Sequence, residues 1–331
     1  MGARIAAVDY LLPEGLVSNE TLQELHPDWK VSRISATTGV ESRHVAEPGE
    51  FASDLATAAA KKLFASHNIA SDSIDYLIVC TQTPDFYLPT TACIVHENLG
   101  LNDEAGAVDV TLGCSGFVYS LGLAKGLVES NQAQKVLIIT VDVLSLLSNQ
   151  NDKSTVPIFG DGAAATLVEV EPGASKLNGF VYGTDGTGAK DLLVPNGGLR
   201  NGGLFSPKSD PTERGLESTG HDLYMDGKEI FNFTLRITEQ SVMDILDRAG
   251  MDMAEVDYFV FHQANGFILK HLQKKLNIPD EKFVMAIEHC GNTSSSSIPI
   301  GIAESGAQPG DSILVLGFGV GFSWAGAVVT L

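Results

Sequence analysis

Ser73-Ile-Asp-Tyr-Leu-Ile-Val-Cys80 is echoed, more than half the chain later, by Glu255-Val-Asp-Tyr-Phe-Val-Phe-His262. In each, an Asp-Tyr pair opens an apolar run too short for a helix, which predicts a strand covered on both faces. The surroundings repeat too. A helical segment precedes each strand, a second apolar strand follows, and a Phe-Gly-x-Gly turn comes next: Phe159-Gly-Asp-Gly162 and Phe318-Gly-Val-Gly321. The shared order predicts two similar α/β halves, 1–175 and 176–331, with a site where they meet.

Further strands are predicted over 107–110, 136–141, 163–170, 312–316 and 325–331, and helices over 52–66, 115–130, 231–249 and 266–276. The Gly-rich stretch 184–220 has neither period and reads as a loop, either an insertion or part of the site.

The composition limits the partners. Of 331 residues, 41 are Asp or Glu and 21 are Lys or Arg, a net charge of −20. Such a surface repels phosphate backbones and anionic lipid, which argues against nucleic acid or membrane as a general partner. With 44% hydrophobic and 19% charged residues the chain is a folded globular one. The segment 1–13 does not read as a targeting sequence, and the apolar stretch 136–147 is broken by Asp142 and too short to span a bilayer. Cys80, Cys93, Cys114 and Cys290 are scattered without metal-ligand spacing, so no metal site is expected and a reduced, cytoplasmic protein is the default.

Three positions could carry chemistry. Cys114, in Val108-Asp-Val-Thr-Leu-Gly-Cys-Ser-Gly-Phe117, falls between a strand and a helix, where the positive end of the helix dipole favours the nucleophilic thiolate. Alone it reads equally well as a small buried hydrophobe. His262 ends a strand, where α/β folds often open their crevice, but it could also be a core histidine. Asn292, in Gly291-Asn-Thr-Ser294, reads by itself as a turn or cap residue. There is no GxxxxGK[ST] loop, HExxH or GxSxG.

Taken together, Thr38-Gly-Val-Glu-Ser-Arg-His44, Leu88-Pro-Thr-Thr-Ala-Cys93, Asp109-Val-Thr-Leu-Gly-Cys-Ser-Gly116, Ile158-Phe-Gly-Asp-Gly-Ala163, Met225-Asp-Gly-Lys-Glu-Ile-Phe231, His262-Gln-Ala-Asn265, Gly291-Asn-Thr-Ser294 and Gly319-Val-Gly-Phe-Ser-Trp324 resemble the β-ketoacyl-acyl-carrier-protein synthase III family of the thiolase superfamily. The resemblance runs along essentially the whole chain. It implies a thiolase-like fold, two mixed five-stranded sheets in a layered αβαβα arrangement, and a homodimer. It also implies a decarboxylative Claisen condensation. Cys114 takes the acyl group, His262 and Asn292 hold the malonyl thioester carbonyl, and the backbone of Cys114 and Val320 forms the oxyanion site. The alternative is acyl transfer from the cysteine to a hydroxyl or amine without decarboxylation. No cofactor is implied beyond acyl-coenzyme A or acyl-carrier thioesters as substrates.

By the same resemblance Trp29, Lys153, Asn265, Leu88 and Phe318 line the substrate and coenzyme A path. Three departures stand out. Thr37 and Lys153 occupy positions where the family has arginines, with Arg33 displaced. Leu88 stands where a Phe commonly lines the partner's acyl pocket, and Val320 replaces a glycine. A planar arginine is not reproduced by lysine, so these departures favour a specialised member with a larger acyl group or a carrier-bound donor. Acyl-carrier protein is the expected partner, docking on Lys270, Lys274 and Lys275 of the helix after His262, next to Phe267, where an arginine often stands.

Overall fold

The structure is a computed structural model that describes residues 1–200, 206–209 and 215–331. The first half runs β1 (Gly2–Leu11), β2 (Gly15–Ser18), α1 (Asn19–Leu25), α2 (Val31–Thr38), β3 (Ser42–Val45), α3 (Ala52–His67), β4 (Tyr76–Cys80), α4 (Thr91–Leu99), β5 (Gly106–Val110), α5 (Gly116–Glu129), β6 (Lys135–Asp142) and β7 (Gly162–Glu171). The second runs β8 (Leu177–Thr184), β9 (Leu192–Leu193), β10 (Tyr224–Met225), α6 (Gly227–Ala249), β11 (Tyr258–Phe261), α7 (Gly266–Leu276), α8 (Ser297–Glu304), β12 (Ser312–Gly319) and β13 (Ser323–Thr330).

The Asp-Tyr repeat is structural. In each half the Asp-Tyr strand lies parallel to the apolar strand that follows it, β4 on β6 and β11 on β12. The repeated aspartates do the same work. Asp75 Oδ2 accepts the N–H groups of Gln134 and Lys135 at the start of β6, and Asp257 Oδ2 accepts the N–H and hydroxyl of Ser312 at the start of β12. Each carboxylate thus fixes the register of its strand pair at the edge, where the ladder would otherwise fray.

The first sheet has five strands in the order β1-β7-β6-β4-β5, mixed in direction. The second differs from the expectation of five. Among the described residues it has four strands, β11-β12-β13-β8, and the place of a fifth is held by a single parallel bridge between Phe259 and Phe283.

Helices fill the layers predictably. The central helices α5 and α8 touch both sheets, α3 and α4 cover the outer face of the first sheet, and α6 and α7 cover the second. Burial on two sides explains why α5 is apolar almost all round, with Phe117, Val118, Leu121 and Ala124 fully buried. The outer helices carry conventional ends. Asp226 caps α6 by accepting from Lys228 and Glu229, Asn265 caps α7 by accepting from Ile268, and Gly250 closes α6 in the left-handed region. Among its described residues the stretch read as loop, 184–220, contains the short helical turn Gly186–Gly188 and the two-residue strand β9, which pairs with β10. Its residues 201–205 and 210–214 lie outside the described residues.

Two glycines test this layering. A Cβ on Gly317 would lie 2.5 Å from the Cys114 carbonyl oxygen and 2.7 Å from Ser115 Cα, both backbone atoms, whereas one on Gly126 of α5 would meet nothing. Gly317→Ala should therefore destabilise by about 1–3 kcal/mol, and Gly126→Ala should stabilise by about 0.5–1 kcal/mol. Urea midpoints that move in opposite directions with unchanged slope check both.

Candidate active site

Both central helices begin at one place. Cys114 lies two residues before α5, and the turn Asn292–Ser296 leads into α8. Between them comes the end of β12. A Cβ on Gly319 would lie 2.7 Å from Cys114 Cβ and 3.0 Å from its sulfur, so only glycine lets this strand pass over the thiol. Phe318, next to it, is buried with its ring edge-on to His262, centroids 5.6 Å apart. His262 follows β11, and its neighbour Ala264 accepts a hydrogen bond from Asn292 Nδ2 at 3.3 Å. Contacts from one to the next thus link the segments carrying Cys114, Gly319, His262 and Asn292.

Asn292 is oriented from both ends. Its Oδ1 accepts the Ser294 N–H at 2.9 Å, which turns the NH2 the other way; one of its protons goes to Ala264 and the second remains for a ligand. The residue is held in place by backbone: its N–H donates to the Ile158 carbonyl and its own carbonyl accepts from Gly160. That pairing makes the Phe159–Asn292 bridge, which joins the first Phe-Gly-x-Gly turn to the second half. Ser294 supports the geometry with φ of 52°, in the left-handed region.

His262 is a buried, neutral imidazole. Burial pushes its pKa down to about 3, and its Nδ1 lies 2.7 Å from the Ser297 hydroxyl oxygen. Cys114 departs from expectation. Its place before a helix favours a thiolate, but burial and then the Asp142 carboxylate push the thiol up to about 12. The resting residue is a thiol because no cation offsets desolvation.

Asp142 is the functional neighbour that the sequence reading missed. It ends β6 fully buried, with Oδ1 accepting from Gln82 N–H at 2.7 Å and Oδ2 from the N–H and hydroxyl of Ser295 at 3.2 and 2.6 Å. Burial raises it to about 6 although those hydrogen bonds pull the other way. The signal was there: a lone aspartate inside an otherwise apolar strand. Gln82, too, was passed over. Its carboxamide lies against Gly113, and it belongs to the wall of a cavity of about 600 Å³ that also includes Phe51, Val143, Leu146, Leu147 and Val194.

The remaining sequence candidates are spread more widely. Trp29 is half-buried and stacked on His26, centroids 3.8 Å apart. Lys153 is exposed, and Asn265 uses its side-chain oxygen to cap α7. Leu88 projects from the surface at 87% exposure beside Phe86 and Tyr87. Phe318 is buried, with its ring edge-on to the imidazole. Val320 sits half-buried in the turn between β12 and β13. On α7, Lys270 and Lys274 are exposed, but Lys275 is turned to α6, donating to the Leu235 carbonyl at 3.0 Å and pairing with Glu239 at 3.2 Å. Phe267 joins Phe231 and His271 in an aromatic cluster on the same surface. Among the described residues no group of three or more His, Cys, Asp or Glu side chains could hold a metal, and no helix is long and apolar enough to cross a membrane.

Comparison with known proteins agrees with this geometry. Residues 108–186 match the family model for 3-oxoacyl-[acyl-carrier-protein] synthase III, and residues 246–331 match that for its C-terminal part. The β-ketoacyl-[acyl-carrier-protein] synthase III of Caldanaerobacter subterraneus subsp. tengcongensis is 36% identical, over 99% of this chain and 98% of its own. A crystal structure of a 3-oxoacyl-(acyl-carrier-protein) synthase III superposes with a TM-score of 0.92 at 44% identity, each chain covered in full. The corresponding enzyme from Burkholderia xenovorans LB400 does so with a TM-score of 0.92 at 37% identity, covering 100% of this chain and 94% of that one. From likeness at this level along its whole length, and from the same thiolase-like halves, it follows that the chain belongs to the β-ketoacyl-acyl-carrier-protein synthase III family of the thiolase superfamily.

Proposed function

We propose that this protein condenses an acyl group, carried as a thioester on Cys114, with a malonyl thioester, releasing CO2 and giving a β-ketoacyl thioester. The observation that supports the reading is the run of contacts that links these segments, Gly319 on the Cys114 thiol, Phe318 on the His262 ring and Asn292 on Ala264, with the Asn292 amide oxygen taken by the Ser294 N–H. In the first half-reaction the Cys114 sulfur attacks the acyl thioester carbonyl. The donor thiol leaves with the proton that the cysteine gives up, and the N–H groups of Cys114 and Val320 hold the tetrahedral oxyanion. In the second, the malonyl thioester carbonyl lies between the Asn292 N–H and the His262 imidazole. Loss of CO2 leaves its electron pair as an enolate on that oxygen, where fixed donors act most strongly. The enolate carbon then attacks the acyl-cysteine, and the sulfur leaves as thiolate.

Acyl transfer to a hydroxyl or amine, the other reading of the sequence, has no use for a second carbonyl donor at Asn292.

The acyl group is larger than acetyl. Supporting this are the cavity of about 600 Å³ lined by Gln82 and apolar side chains, and Leu88, which stands where the family has a bulkier ring. Phe86, Tyr87 and Leu88, at 59%, 72% and 87% exposure, form an apolar surface that a second copy of the chain would cover. The carrier protein docks on α7 through Lys270 and Lys274, exposed cations on a chain of net charge −20, with Lys153 and Trp29 toward the coenzyme A or phosphopantetheine arm.

Intact-protein mass after exposure to acyl thioesters should show acylation of the wild type and none of Cys114→Ser. His262→Ala and Asn292→Ala should still load but lose malonyl decarboxylation by about 10²–10³; normal condensation by Asn292→Ala would overturn the assignment. Because the thiol is pushed up, thiolate is scarce at neutral pH, so iodoacetamide labelling of Cys114 should climb roughly tenfold per pH unit through pH 9. Removing the negative charge in Asp142→Asn lowers the thiol pKa and should speed labelling at pH 8; a plateau in the wild type below that pH contradicts a resting thiol. Reversing Lys270 and Lys274 to Glu should raise KM for the carrier-bound donor with kcat held, whereas Lys275→Glu, whose ammonium already faces Glu239, should change it little.

A further inference from the structure

The cavity of about 600 Å³ is apolar over most of its wall, through Phe51, Val143, Leu146, Leu147 and Val194. Its hydrogen-bonding side chains are Gln82, Thr83, Asp85 and Tyr87, and three of these are already engaged. The Thr83 hydroxyl accepts the Val143 N–H at 2.9 Å. Both Asp85 oxygens accept from Ser53, one from its N–H at 3.0 Å and the other from its hydroxyl at 2.6 Å. The Tyr87 hydroxyl donates to the Gly198 carbonyl at 3.3 Å. Gln82 differs. Its backbone N–H donates to Asp142 Oδ1 at 2.7 Å, but its carboxamide has no hydrogen-bond partner among the described residues.

That carboxamide also touches the turn that carries the nucleophile. A Cβ on Gly113 would collide with the Gln82 side-chain oxygen and stand 2.8 Å from its carboxamide carbon. Gly113 immediately precedes Cys114, so Gln82 joins the nucleophile's turn to the cavity. An acyl chain that runs from Cys114 into this cavity meets the carboxamide near its thioester end.

The chemistry of the group follows from what a carboxamide offers, which is two donors and an acceptor. A plain alkyl chain strips water from it and returns no hydrogen bond, and a polar group left unmatched costs more than a matched one gains. A neutral hydroxyl both donates and accepts, and so answers it. A carboxylate substituent is opposed by Asp85 in the same wall and by Asp142 behind Gln82. One free polar group in an apolar cavity is the usual means by which a site orients a mainly hydrophobic ligand.

We infer that Gln82 is a specificity-determining residue that selects an acyl group with an apolar body and a neutral hydroxyl on the first carbons beyond the thioester carbonyl. The inference rests on the proposed acyl cavity and names the chemistry of the group that fills it.

The test compares octanoyl with 2-hydroxyoctanoyl and 3-hydroxyoctanoyl, each enantiomer separately, as coenzyme A and as carrier-protein thioesters. The readout is the rate of acyl-enzyme formation at Cys114 in intact-protein mass spectra. The wild type should load one hydroxyoctanoyl group about 3–10 times faster than octanoyl, the factor that one neutral hydrogen bond gives. Gln82→Leu, close in size and without the amide, should slow that group and speed octanoyl, bringing the ratio to one or below. Gln82→Met, unbranched like glutamine, carries the same expectation and guards against misfolding of the leucine variant. Equal or faster loading of octanoyl by the wild type overturns the inference without recourse to a variant. A hydroxyl preference that survives both substitutions overturns it as well. A wild type that forms no acyl-enzyme from any of these thioesters overturns the proposed function along with it, whereas loading without preference removes only the selection by Gln82.

Discussion

One buried carboxylate organises the meeting of the two halves. Asp142 ends β6 of the first sheet without contact with solvent and takes three hydrogen bonds, from Gln82 on one side and from the backbone and side chain of Ser295 on the other. Burying a charge without partners would cost several kcal/mol, so the turn carrying Ser295 has to dock where it does. Docking that turn sets the left-handed conformation at Ser294, which aims the Asn292 amide, and places Ser297 under the His262 ring. Burial first, and then the same charge, push the Cys114 thiol up. Seam, donor orientation and nucleophile therefore depend on one side chain that takes no part in the chemistry.

The duplicated architecture explains why such a seam exists. Each half sends one helix into the central layer, α5 from the first and α8 from the second, and both N-terminal ends open at the site. Two helix starts bring two sets of forward-pointing N–H groups to one cavity, suited to oxygen atoms that gain negative charge during reaction. The halves have diverged where symmetry is not needed. The strand-opening aspartates Asp75 and Asp257 keep matching roles, while Cys80 and His262, at matching strand ends, no longer resemble each other. Cys80 is a buried thiol bonded to the Leu112 carbonyl, and Gly116 is small because the Cys80 sulfur fills the space above it. His262 instead faces the seam.

Much of the fold was legible because it rests on local pattern. The limits of β4, β11 and α7 coincide with the apolar periods that announce them, since strands buried on both faces and a helix with one wet face leave distinct signatures. β1 and β8 were missed. They occupy outer positions in their sheets, their sequences mix small and polar residues, and β1 carries a register shift near Ile5. The fifth strand expected in the second sheet is reduced to the Phe259–Phe283 bridge, a loss that no short-range pattern records.

The sequence by itself determined the family and singled out Cys114, His262 and Asn292 as candidates, because each lies in a motif whose residue types are set by local backbone and chemistry. Only the tertiary structure decided their states. Whether Cys114 rests as thiol or thiolate depends first on burial and then on Asp142, a residue of another strand. The His262 ring is held through Nδ1 by a hydroxyl in α8, and which way the Asn292 amide points depends on the Ser294 N–H. Protonation and orientation are properties of an environment assembled from separate chain segments, and no stretch of sequence contains that environment.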